Sequence, residues 1–197
     1  MKNNLLKEHS KNQILDSALK VFVRKGYSKT TMDDIVANSG MSKGAIYHHY
    51  SSKKELFLSL IDYWEQYFFS NIFDKDIDKT NSDNLLREIA KDVVDAFKNR
   101  KYVFLAELEF WSLANHDEEI RKRTKSLYVR LLTMFRKIII KGIDSGAYKK
   151  INVDVAAISV MTALQGVIWF SIFEDSKLSA EEYLKDVIEF IIHGFKR

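Results

Sequence analysis

Not one of the 197 residues is proline, and only seven are glycine. Sandwiches and barrels need turn punctuation at short intervals, and those two residues supply most of it. A chain so poor in them is expected to connect helices through short capped turns, so the fold class expected is all-α. An apolar content of 46%, with 13% aromatic residues, is enough for a packed core rather than a disordered chain. There is no cysteine, which excludes disulfides, thiol catalysis and cysteine metal sites. The opening residues MKNNLLKEHSKNQIL lack the apolar run of a signal peptide, so no export and a cytoplasmic location are expected.

Helix starts and stops are legible in several places. Ile14, Leu15, Ala18, Leu19 and Phe22 share one helical face, and Gly26 follows Arg24 and Lys25 as a stop. Thr31 to Asp34 reads as a capping box with aspartate in its last place. Asn38-Ser-Gly40 is a turn, Ser42 caps a short helix to about Tyr50, and Ser52 to Glu55 opens a longer one to about Phe69. Thr80 to Asp83, Asn152 and Ser179 to Glu182 mark later starts, and Tyr102–Ala114 and Ile120–Lys141 also read as helices. About nine helices are expected, with residues 74–80 as the most exposed loop.

Charge is unevenly placed. Residues 1–55 carry ten Lys/Arg against five Asp/Glu, and residues 56–197 carry 21 against 22. A basic N-terminal module facing a polyanion follows, joined to a nearly neutral remainder. Within that module the stretch SKGAIYHHYSSKKEL places His48 beside His49. Adjacent residues stand about 100° apart around a helix, so they do not share a metal, and no carboxylate or cysteine lies at ligand spacing. No metal and no cofactor are expected. Two short helices joined by a glycine turn read instead as a helix-turn-helix. Ala45, Ile46 and Tyr50 point inward, while Lys43, Gly44, Tyr47 and His48 point out to a DNA groove and its phosphates. Lys53 opens the next helix, where its charge and the helix dipole would favour a flanking phosphate.

Over some 47 residues, KNQILDSALKVFVRKGYSKTTMDDIVANSGMSKGAIYHHYSSKKELF resembles the DNA-binding region of the TetR family. The GY after the first helix, the TT before the second, SKG-x-x-Y-x-H-aromatic in the third and SK-x-EL opening the fourth carry the likeness. The resemblance implies that Thr31, Ser42, Lys43, Gly44, Tyr47, His48, His49 and Lys53 face or touch double-stranded DNA. It also implies a three-helix DNA-binding domain over residues 1–52 and an all-α effector-binding and dimerisation domain over 53–197. Ala45 stands where many relatives carry threonine or asparagine, and Tyr50 where phenylalanine is commoner.

The remainder holds all three tryptophans. Trp64, Tyr67 and Phe68, Phe104, Glu107 and Trp111, Tyr128, Leu131, Met134 and Phe135, and Gln165 with Trp169 recur at helical spacing. An aromatic wall with few polar groups is the usual form of a small-molecule site, and the same stripes are equally the pattern of a plain core. Glu107 is the acid on an otherwise apolar face, which favours a lipophilic cation over a fatty-acid-like anion as effector. Val155 to Phe173 runs 19 residues without a charge. Its interspersed polar residues argue for a helix buried on both sides rather than a membrane span. The resemblance implies that the last two helices form a dimer interface, for which Ala156, Ala163, Gly166, Tyr183, Val187, Ile191 and Phe195 are the candidates.

The reading is a homodimeric, ligand-responsive transcriptional repressor on a pseudo-palindromic operator, released by a small hydrophobic or aromatic effector, with no membrane partner. A regulator controlled by a protein partner instead of a small molecule is the alternative. An enzyme using Glu107 with His116 has no nucleophile–base–orienter set behind it, so no enzymatic activity is expected.

Overall fold

The computed structural model describes the backbone of residues 2–173 and 177–196, and the side chains of all these but 2–7, 67–71 and 73. Every regular element among them is helical: α1 (Lys2–Lys25), α2 (Met32–Ser39), α3 (Lys43–His49), α4 (Lys53–Phe73), α5 (Ser82–Asn99), α6 (Lys101–Ala114), α7 (Glu118–Asp144), α8 (Val153–Gln165), α9 (Trp169–Ile172) and α10 (Ala180–Phe195). A 3-10 turn over Gly166–Ile168 joins α8 to α9, so those two make one rod and the described residues hold nine. The largest departure from the sequence expectation is α1, which begins well before the apolar face that starts at Ile14. The described side chains ahead of Ile14, from Glu8 to Gln13, are polar and mostly exposed, so no apolar period leads into that face.

The chain divides into two compact units: Met1–Tyr67 with Leu105–Thr124, and Phe68–Phe104 with Lys125–Arg197. The expected boundary after residue 52 does not mark this division, because the first turns of α4 and the α6–α7 corner pack with the helices that precede them.

In the first unit, Ile14, Leu15, Ala18, Leu19 and Phe22 of α1 are buried with Ile35, Ile46, Leu56, Phe57 and Leu60. Full burial of each such side chain stabilises by about 1.5–3 kcal/mol. Phe57 holds the centre, in edge contact with Phe22 at 5.3 Å, Tyr27 at 4.8 Å and Phe110 at 5.4 Å between ring centroids. Gly26 ends α1 at φ 75°, a left-handed conformation that side chains resist.

In the second unit α5 and α10 lie side by side, burying Leu85, Leu86 and Ile89 of one and Leu184, Ile188 and Ile192 of the other. Arg87 bridges them at the rim through both oxygens of Glu189. Val153–Ile172 is long and apolar enough to cross a membrane by composition, at a mean hydropathy of 1.8. Its Ala156, Ala157, Val160, Met161 and Leu164 are buried, and the Tyr183 hydroxyl of α10 donates to the Ala163 carbonyl at 3.0 Å. The loop over residues 74–80 is held by Lys141, whose ammonium donates to the carbonyls of Ile77, Asp78 and Thr80.

Candidate nucleic-acid interface

The two short helices are fixed by their caps. Thr31 accepts from the Asp34 N–H at 3.2 Å, and the Asp34 carboxylate accepts from the Thr31 N–H at 2.9 Å. The Lys25 ammonium beside Asp34, with these hydrogen bonds from Thr31, holds its carboxyl at a pKa of about 2. Gly40 turns the chain out of α2 at φ 68°. Ser42 then caps α3, accepting from the Ala45 N–H at 3.2 Å. Ile46 and Tyr50 are buried as the inward pair, and Ala45 is half-buried.

What α3 leaves outside is the expected set. Thr31, Ser42, Lys43, Gly44, Tyr47 and His48 are all exposed, and His49 is half-buried, between the outer face and the core. A side chain added at Gly44 would meet nothing within 4 Å, so no internal packing requires glycine there. Lys43 forms an ion pair with Asp33 of α2 at 2.8 Å, which raises the Lys43 pKa. Asp33 escapes a reading by motif, since the capping box accounts for its neighbour and not for it.

Lys53 has another occupation. Its ammonium donates to the carbonyls of Tyr27 at 2.8 Å, Ser28 at 3.4 Å and Thr30 at 2.8 Å, and lies 4.4 Å from the Tyr27 ring centroid. Three acceptors match the three donors of an ammonium, and burial pulls its pKa down. Tyr27 is also held through its N–H, which donates to Glu109 of α6 at 3.1 Å. Lys54 pairs with Asp117 at 2.8 Å and Glu119 at 3.2 Å. Neither Glu109 nor these corner acids carry a sequence signal, because their partners are brought to them only by packing.

The expected effector residues are divided between the units. In the first, Trp64 is buried edge-on to Phe110 at 5.6 Å, and Glu107 is buried and accepts from the Trp111 indole N–H at 3.0 Å. In the second, Phe104 meets Phe97 edge-on at 5.5 Å, Leu131, Met134 and Phe135 are buried, and Tyr128 and Gln165 are half-buried. Trp169 does not line the interior: it is 59% exposed and stacks on Phe173 at 6.1 Å. The side chains of Tyr67 and Phe68 lie outside the described residues.

The small residues expected to meet a partner chain are turned inward. Ala156, Ala163 and Phe195 are buried in their own unit, and a Cβ at Gly166 would fall 2.3 Å from the Tyr183 hydroxyl. Val187 and Ile191, like Tyr183, are half-buried. The reason is that α8 uses its small face against α10. Val155, Ile158 and Thr162 of α8 and Trp169 of α9 recur at helical spacing and are all exposed, and Phe190 on α10 is 80% exposed.

Residues 14–60 match the family described as bacterial regulatory proteins, tetR family, and residues 83–194 match the C-terminal domain of BetI-type transcriptional repressors. The chain is 28% identical over 209 residues to the uncharacterised HTH-type transcriptional regulator YfiR of Bacillus subtilis, spanning 96% of this chain and 98% of that one. Two solved structures share the fold. The regulator FadR of Bacillus subtilis, in complex with stearoyl-CoA, gives a TM-score of 0.78 at 20% identity, over 93% of this chain and 98% of that one. A transcriptional regulator of Saccharomonospora viridis, in complex with choline, gives 0.79 at 17% identity, over 96% and 99%.

Proposed function

This chain belongs to the TetR family of DNA-binding transcription regulators, and from that premise we infer that it is a cytoplasmic repressor released from its operator by a small lipophilic molecule. The observation that carries the DNA half is the outer face of α3. Four polar or side-chain-free positions, Lys43, Gly44, Tyr47 and His48, stand exposed over a fully buried Ile46. A recognition helix needs that division to lie in a major groove while anchored to its own domain. Thr31 and Ser42 lie beside it as candidates for phosphate contact.

A homodimer suits a pseudo-palindromic operator, since two heads meet two half-sites. The exposed Val155, Ile158 and Trp169, and Phe190 on α10, support it, being large apolar groups with water as their alternative.

For the effector, the buried Glu107 beside the Trp111 indole supports a lipophilic cation, because a carboxylate and aromatic faces both attract positive charge. The relatives bind both kinds of molecule, one choline and one stearoyl-CoA, so charge is the property to test. Tryptophan occurs at positions 64, 111 and 169 and nowhere else, which makes intrinsic fluorescence a reporter outside the helix-turn-helix. A hydrophobic quaternary ammonium should quench it saturably and dissociate the DNA complex. Glu107→Gln should weaken that response about tenfold or more, on the scale of a desolvated cation–carboxylate contact. Tight binding of a long-chain acyl-CoA, unchanged or improved by Glu107→Gln, would reverse the choice of ligand.

A further inference from the structure

Two aspartates open α2, and they differ in employment. Asp34 closes the capping box and pairs with Lys25. Asp33 is exposed and holds the Lys43 ammonium at 2.8 Å, which lies 5.9 Å from the centroid of the Tyr47 ring. An ion pair this exposed adds little to folding. A carboxylate beside a DNA-facing lysine also repels every duplex alike, and it regains that loss only where a base offers it a donor. Donors on the major-groove edge are N4 of cytosine and N6 of adenine.

Resting on the reading that α3 occupies the major groove, we propose that the Asp33–Lys43 pair is a specificity determinant for one G·C base pair in each half-site. Lys43 donates to O6 and N7 of guanine, and Asp33 accepts from N4 of the paired cytosine. The G·C edge presents two acceptors followed by a donor, whereas the A·T edge alternates acceptor, donor, acceptor. An ammonium and a carboxylate set side by side match the first order. The pair spans α2 and α3, so the caps on Thr31 and Ser42 fix its spacing before DNA arrives.

Duplexes selected from a random-sequence library by the full chain test this, with wild type, Asp33→Ala, Asp33→Asn and Lys43→Met in parallel. Asp34 keeps the capping box, so the Asp33 variants retain α2. The wild type should enrich a G·C pair at one symmetric position of both half-sites. Exchanging it for A·T should weaken binding roughly 5- to 150-fold, the span of a good base-edge pairing. Both Asp33 variants should lose the preference at that position and keep it elsewhere. A wild-type preference at every position in Asp33→Ala would overturn the proposal. So would a Lys43→Met protein that loses about one unit of salt slope and no base preference, which would make Lys43 a phosphate contact. If no protein enriched any duplex, the major-groove reading of α3 would fall first and this proposal with it.

Discussion

Gly44 is a residue whose surroundings within the protein do not ask for glycine. It sits in the first turn of α3 with open space where a Cβ would go. Alanine there should raise helix stability by up to about 0.5–1 kcal/mol. On the account given above it should also weaken operator binding by about 1–3 kcal/mol, the scale of one lost contact. Thermal melting and duplex titration on Gly44→Ala check the two signs together, and a variant that gains stability without losing affinity removes Gly44 from the DNA-facing set. At this scale the sequence was most informative where a role follows from local order. The outward set on α3 is read from helical spacing alone. Asp33, Glu109 and the occupation of Lys53 were not legible, because each depends on a partner 10 to 82 positions away that only the fold brings near.

Helices here are held by two devices, and only one of them is local. Caps on Thr31, Ser42, Asn152 and Ser179 are legible because side chain and N–H lie within three residues of each other. Lysine staples are not: Lys53 and Lys141 each gather three carbonyls of a distant loop. Lys53→Met should take the ammonium from the carbonyls of Tyr27, Ser28 and Thr30, of which Tyr27 keeps the Thr30 N–H as a donor. Amide exchange of residues 26–31 should accelerate, and because the ammonium is already engaged the salt slope of DNA binding should stay near that of the wild type. A slope reduced by about one would return Lys53 to the phosphate contact that the family resemblance implies. The same local-versus-tertiary contrast separates α8 from its partner face. Its charge-free run announces a helix apolar all round, yet spacing alone does not say which side meets α10. Gly166→Ala should destabilise by about 1–3 kcal/mol through displacement of Tyr183. Phe190→Glu should preserve helical content and shift sedimentation from dimer to monomer. Unchanged melting in the first, or an intact dimer in the second, would contradict the assignment of the two faces.

The two compact units are joined by continuous helices: α4, α6 and α7 each begin in one unit and end in the other. An effector acts on DNA binding only through a difference in its affinity for two arrangements of such a chain. All-α class, helix order and the helix-turn-helix were readable because they rest on spacing and caps. The extent of the compact units was not, since the α6–α7 corner joins the first unit by packing and ion pairs such as Lys54 with Asp117. If α3 reads DNA in sequence-specific fashion, anisotropy titration of a labelled duplex recovered from fragmented genomic DNA shows it. Wild type should saturate at two chains per duplex, prefer it to a scrambled one, and weaken steeply between about 50 and 200 mM salt. Tyr47→Ala should bind that duplex about 1–3 kcal/mol more weakly while keeping its helical content. Equal affinity of wild type for the scrambled duplex, or of Tyr47→Ala for the recovered one, would contradict it.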